Sequence, residues 1–366
     1  MKVYIIVFVL TFLAQFYPVK SEKQYWWRTV LSFIPLFLFM ALRKDFGSDD
    51  DSYHWFFNGV HQASNIFAVN EHMEAGYAIL NKIMPTYQSL IILSSFLTTW
   101  AYVFLIYRYV PKRYSWLAVL LLFSAPGMTI FFMISGIRNG IAASLLILSC
   151  YYIEKRKIIP FAIMTLVAMS IHTSALAIFT ICYLLGQNKL ITRKQMLIWL
   201  SVMVVLALAS LASIVQNVLP VIDLFMDQYT GQVEGMAEIA DERGFMGALT
   251  GIVFGVGLLL YLFQMEKYTK RSPDFTQELG SLKYKYGLLF AVSFTIGILG
   301  GRMGQYWIYF FIVSVVGMVA YWNIKVFKYG FLLLVLYFFR ILYVSFVSSP
   351  DFFIYYNKYN SVLGSF

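Results

Sequence analysis

The sequence predicts an all-α, polytopic membrane protein with about twelve transmembrane helices, and three observations carry that prediction. Of its 366 residues, 60% are apolar or aromatic and only 13% are charged, whereas soluble domains run at about half apolar and a quarter charged. The apolar residues are gathered into blocks long enough to reach across hydrocarbon. The basic residues are divided unevenly between alternate loops. A soluble enzyme, a disordered or collagen-like chain and a nucleic-acid module are excluded on these grounds. The net charge of +10 matters here through its distribution. Cys150 and Cys182 lie inside apolar blocks, as small core residues do, and form neither a disulfide framework nor a metal site.

The blocks fall near residues 2–17, 29–42, 88–107, 116–134, 140–153, 158–170, 174–187, 196–217, 246–264, 286–300, 306–322 and 329–347. In the first, a single Lys precedes an apolar run, a pattern that also suits a signal peptide. No small-x-small cleavage site stands out near Pro18, so it is read as a span. The second closes at Arg43-Lys44 and the third at Arg108. Several later blocks are shorter than ~17 residues, as spans are when they are broken near functional segments.

Numbering the loops alternately places 19 of the 28 Lys and Arg on one side and 8 on the other, with Arg340 inside the last block. The positive-inside rule makes the first side cytoplasmic and puts both termini outside. The acids mirror this: 13 of 18 fall on the outer side. That side also carries two long loops, residues 43–87 and 218–245, and loops of that length in a compact protein are usually functional. No repeat or linker interrupts the chain, which is read as one integral membrane domain, 1–366.

Five arginines stand where the charge rule does not want them: Arg43, Arg138, Arg243, Arg302 and Arg340. Each could be an interfacial anchor with its head drawn to water. Three are flanked by glycine, in SGIRNG, DERGFMG and LGGRMGQYW, which lets backbone approach a ligand. Arginine also grips phosphate bidentately. As a set they predict an anionic, diphosphate-type site at the outer boundary.

The acids Asp45, Asp49, Asp50 and Asp51 follow Arg43. They could hold a divalent cation or start a hydrated loop; no complete metal-ligand spacing is present. Trp55, Phe56 and Phe57 suit a helix used for interfacial anchoring or sugar stacking. Glu71, Glu74 and Tyr77 share one helical face by spacing. His172, in MSIHTSAL, is either hydrogen-bonded scaffold or a base placed to take a hydroxyl proton. His54, His61 and His72 are spaced 7 and 11 apart, which makes a weak zinc case. There is no GxSxG, HExxH, P-loop or Rossmann fingerprint.

At these residues the chain resembles the EpsG-like branch of the Wzy-type polysaccharide polymerases. The resembling segments are LRKDFGSDDDSYHWFF, EAGYAILNKI, ISGIRNGIAASLLILS, SIHTSALAIF, GGRMGQYWIYF and the tail IYYNKYNSVLG. The family pattern R-x-x-x-G-x-D-x-x-x-Y is met by Arg43, Gly47, Asp49 and Tyr53. Asn139 stands where the family often has Gln after the mid-chain Arg.

The resemblance implies a GT-C-like, multi-pass glycosyltransferase of the bacterial cell membrane that joins undecaprenyl-diphosphate-linked repeat units into surface polysaccharide (capsule, exopolysaccharide or O-antigen). The reaction would face away from the cytoplasm, without metal, cofactor or nucleotide sugar. Its expected partners are the lipid-linked oligosaccharide, the bilayer and the flippase and chain-length regulator of the same pathway, with no nucleic acid. The chemistry assigns Arg138 and Arg302, then Arg243 and Arg43, to the diphosphate, with Arg340 as a structural partner. His172 is the first choice of base, Asp49 and Glu74 the second; Tyr53, Trp55 and Tyr77 would hold glycan. A flippase is the rival, though it would carry its charges near the midplane and show related halves. A glycan ligase, a membrane acyltransferase and a non-enzymatic scaffold are the remaining readings.

Overall fold

The computed structural model describes residues 2–70, 73–124, 134–155, 157–173 and 359–365, with isolated positions at 194, 198, 201, 312, 313 and 316. Two compact units are distinguished, Met1–Tyr183 with Val315–Phe366, and Leu184–Ser314; every element named below belongs to the first. The chain is mostly helical with little strand. Arg243, Arg302, Arg340, Glu71, His72, Cys182, the loop 218–245 and the apolar blocks from 174 to 347 lie outside the described residues, apart from those isolated positions.

Helix α1 (Lys2–Ala14) fills the first apolar block. The second block divides into α2 (Glu22–Ser32) and α3 (Ile34–Ala41). Ser21 starts α2 well upstream of the apolar run, through a reciprocal capping box with Gln24, which satisfies two otherwise orphaned donors. The break at Phe33 has a cause in sequence: Pro35 sits in the first turn of α3, where its missing N–H costs nothing, whereas further inside a helix it would remove a bond. The region 43–87, expected as an outer loop with helical stretches at Trp55–Phe57 and around Tyr77, contains α4 (Asp50–Gln62), a 3₁₀ turn at Ile66–Ala68 and α5 (Ala75–Ile83); Glu74 stands before α5, at its N-cap.

Helix α6 (Tyr87–Tyr109) begins on a second capping box, Thr86 with Ser89. Its 23 residues span roughly 35 Å at 1.5 Å per residue, enough to cross the ~30 Å hydrocarbon core. It is the one helix among the described residues long and apolar enough to cross a membrane; α1 and α9 are shorter apolar helices. After a turn at Pro111 come α7 (Ser115–Ser124), α8 (Ile137–Glu154) and α9 (Ile158–Ile171). Helices α8 and α9 form a tight hairpin, and α6 packs on both α8 and α3.

The α6–α8 contact includes small hydroxyl residues. Ser94, Ser95, Thr98 and Thr99 face inward on α6, and Ser144 and Ser149 on α8. Ser144 Oγ donates to Gly140 O at 2.7 Å and lies 3.4 Å from Thr98 Oγ1, while Ser95 and Ser149 bond back to their own helices. Small side chains of this kind let two helices approach closely.

The helix ends sort into two groups. At one, Arg28 of α2 donates to the carbonyls of Gln15, Tyr17 and Lys112 and to Ser115 Oγ, at 2.7–3.3 Å. It thus ties the α1–α2 turn to the α6–α7 turn, aided by the Lys112–Glu22 ion pair. Arg28→Ala should cost about 2 kcal/mol, since hydrogen bonds to charged groups contribute ~1.5–3 kcal/mol each and part of that is recovered by water. Thermal unfolding of the detergent-solubilised protein would register it as a lower midpoint; an unchanged midpoint would show the clamp to be idle.

Candidate active site

At the opposite ends of these helices, α3, α4, α5, α8, α9 and the C-terminal β1–β2 hairpin (Asn360–Ser361 with Gly364–Ser365) supply the polar residues. Arg43 follows α3 and is 1% exposed. Its guanidinium donates to Met40 O at 3.0 Å and Ile134 O at 3.1 Å, while its backbone bridges Ser361. Lys44 N donates to Asn360 O and Val362 N to Leu42 O. The tail hairpin therefore closes over the end of α3. An arginine held this way braces backbone.

The turn to α4 needs left-handed backbone at two places. Asp45 has φ +50° and Gly47 φ +130°; at the second, any Cβ is strained. Asp49 then stands exposed at the helix N-cap position, with Ser48 Oγ donating to its carboxylate at 3.2 Å. Asp50 is buried and accepts from Tyr87 Oη at 2.8 Å. Burial raises its pKa, as do Asp45 and Asp51, against Tyr87 and Arg43, which lower it. The described residues bring no three metal-binding side chains together. His54 stacks on Tyr87, and the His61 ring nitrogens lie at 3.0 and 3.1 Å from the carbonyls of Phe57 and Met84.

The densest chemistry is built around Glu74, the N-cap of α5. Its side chain makes no capping bond and turns instead to two distant segments. Oε2 accepts from Arg138 Nη1, in the first turn of α8, at 2.5 Å. Oε1 accepts from His172 Nδ1 at 2.7 Å, from Thr173 N at 3.0 Å and from Thr173 Oγ1 at 3.3 Å. His172 ends α9, donating its backbone N–H to Ala168 O, and is 2% exposed. Burial opposes the Glu74 charge, but His172, Arg138 and Thr173 outweigh it and hold the carboxyl at about 2. Burial likewise opposes the Arg138 charge, and Tyr53 and Glu74 more than compensate, so it stays protonated.

Local packing explains why these segments meet. A Cβ on Gly76 would lie 2.3 Å from Ser170 Oγ and 2.5 Å from Ser170 O, so the first turn of α5 rests directly on the last turn of α9. Tyr77 is fully buried, stacked on Phe56 and edge-on to Tyr53. The Arg138 guanidinium carbon lies 5.9 Å from both tyrosine ring centres, within cation–π range. Trp55 is the contrast: it is 61% exposed on the open face of α4.

Arg138, Glu74 and His172 thus converge, with Tyr53 and Tyr77 framing them; Asp49 and Trp55 lie towards solvent. Thr173, Gly76 and Ser170 were not singled out in the sequence.

Arg138, Glu74 and His172 thus form a charged, largely buried cluster at the helix ends of a mostly helical chain, which has one membrane-length helix among its described residues. The EpsG family pattern matches residues 26–361, nearly the whole chain, and the chain belongs to the EpsG family. EpsG-like proteins are Wzy-type polymerases of polysaccharide biosynthesis. The chain matches no curated protein and no solved structure at significant similarity.

Proposed function

We propose that this protein polymerises undecaprenyl-diphosphate-linked oligosaccharide repeat units into surface polysaccharide on the extracytoplasmic face of the cell membrane. The single observation that carries the reading is the convergence of Arg138, Glu74 and His172 from segments 64 and 98 residues apart. In this reading the chain is one integral domain of about twelve spans with both termini outside. Its outward arginines meet the diphosphate, Arg138 and Arg302 first and Arg243 after them; Arg43, expected with them, is buried on the carbonyls of Met40 and Ile134 and serves the backbone instead.

The reaction joins two lipid-linked glycans. An acceptor hydroxyl attacks the anomeric carbon of the donor glycan, and the bond from that carbon to the diphosphate oxygen breaks. The lipid diphosphate leaves with the electron pair, and fixed guanidinium charge stabilises it as it departs. The hydroxyl proton passes to His172 and then to solvent. Asp49 is the second candidate for that proton. Trp55, on the open face of α4, is placed to stack sugar, while Tyr53 and Tyr77 shape the wall that holds Arg138. Much of the acceleration would come from holding two bound glycans in line.

Deleting the gene in a strain that makes the polysaccharide tests this against the flippase. Loss of long glycan, with single lipid-linked units accumulating on the outer leaflet, is the expected result. Units trapped on the inner leaflet would assign the protein to transport instead, and unchanged chain length would remove it from the pathway. Gel electrophoresis and mass spectrometry, with a membrane-impermeant label to report the leaflet, distinguish the three.

A further inference from the structure

The site holds two side chains that sequence reasoning offered as alternative bases, and their geometry does not treat them alike. Both Glu74 oxygens are engaged, one by Arg138 and one by His172 and Thr173. A carboxylate so occupied accepts a substrate proton only by breaking a buried ion pair. It is also held at about 2, far from the value a general base needs near neutral pH. His172 is the reverse case. Its Nδ1 is 2.7 Å from an acceptor-only oxygen, so Nδ1 must carry a hydrogen. Its Nε2 is buried and has no hydrogen-bond partner among the described residues.

We propose that Glu74 is a positioning residue: its carboxylate fixes His172 as the Nδ1–H tautomer and aims the ring, which leaves the Nε2 lone pair to take the acceptor hydroxyl's proton. The structure orients each member. Arg138 and Thr173 hold the carboxylate from both sides, and Gly76 against Ser170 sets the distance between α5 and α9. The ring itself is anchored where α9 ends. Neutral imidazole in water favours the other tautomer, with hydrogen on Nε2, which would present a donor where the reaction requires an acceptor. A carboxylate or carbonyl on Nδ1 reverses that preference. The role of Nε2 as proton acceptor rests on the polymerase reading; the tautomer does not.

The test uses the full-length protein in lipid bilayers. ¹⁵N-histidine solid-state spectra report the tautomer, and His172→Gln identifies the His172 signals among the four histidines. Lipid-linked repeat units extracted from a deletion strain serve as substrate for kcat and KM. The wild type is expected to show His172 with hydrogen on Nδ1. Glu74→Ala should shift it to Nε2–H and lower kcat about 100-fold or more, with KM changed less than about threefold. Glu74→Gln, whose amide oxygen can still accept from Nδ1–H, should keep the Nδ1–H tautomer and recover much of the rate, and serves if the Ala variant fails to fold.

A polymerising wild type whose His172 carries hydrogen on Nε2 overturns the positioning role alone. So does a Glu74→Ala variant with wild-type kcat, or one affected only in KM. A wild type that binds the units without joining them overturns the polymerase reading and the base role with it, whatever the spectrum shows.

Discussion

Replacing Arg138 with Ala is expected to abolish long-chain glycan and lower polymerisation in vitro by at least about 100-fold, the scale of losing one fixed charge-stabilising donor. Two effects combine. On the proposed polymerase reading, the leaving diphosphate would lose a guanidinium whose fork matches phosphate oxygens. Glu74 also loses its counter-charge while remaining buried, and removing one partner of a buried pair costs roughly 3–5 kcal/mol. The two can be separated. The double variant Arg138→Ala/Glu74→Ala removes the stranded charge, so membrane abundance should recover while activity does not. Arg138→Lys keeps the charge but not the planar fork, and should fall between wild type and Ala. Blotting of membranes alongside glycan length and single-turnover rates reads each effect. Wild-type rates in Arg138→Ala at normal abundance would return this arginine to the status of an anchor.

Gly76→Ala is expected to lower stability by about 1–3 kcal/mol, the range for overpacking a tight contact, and to reduce activity about 100-fold. The new methyl would meet Ser170 Oγ, O and Cβ at 2.3, 2.5 and 2.6 Å. One of the three is backbone and cannot swing aside, so α5 has to lift from α9. Glu74 precedes Gly76 by two residues and moves with it, away from His172; displacements of about 1 Å can cost 100-fold in rate. Ser170→Gly should rescue little, because the carbonyl remains. Gly59→Ala is the control, since its Cβ would meet only Val69 Cγ1, at 2.8 Å, the end of a side chain that can turn. Thermal unfolding and in vitro polymerisation on the three variants check this. A Gly76→Ala protein with wild-type rate would show that the α5–α9 distance is not critical.

Much of the helical layout was legible in one dimension. The apolar blocks at 2–17, 88–107, 140–153 and 158–170 each hold a helix whose ends lie within about three residues of the block, because burial of apolar side chains and saturation of backbone bonds both favour helix there. The block at 29–42 read as one span and is two helices, since a proline near its start restarts the helix. Region 43–87 read as an outer loop with helical stretches of undefined ends, because α4 and α5 mix polar and aromatic residues over short lengths. Their helical character comes from packing of Tyr53, Phe56, Phe57, Val60 and Tyr77 into one core with α6 and α8.

The sequence by itself determined the class of protein: a composition too apolar for water, an asymmetric set of loop charges and motifs in an order that a single family shares. It also singled out Arg138, Glu74 and His172, because charged or ionisable groups beside lipid are costly and need a reason. Only the tertiary structure decided what these residues are to one another. Spacing along the chain says nothing about two oxygens shared between groups 64 and 98 residues away. That sharing is what makes Glu74 a partner of His172, while Arg43, equally prominent in the sequence, braces Met40 and Ile134 beneath the C-terminal hairpin. Hydrogen bonds and ion pairs act over a few ångströms, and proximity on that scale is set by how helices pack.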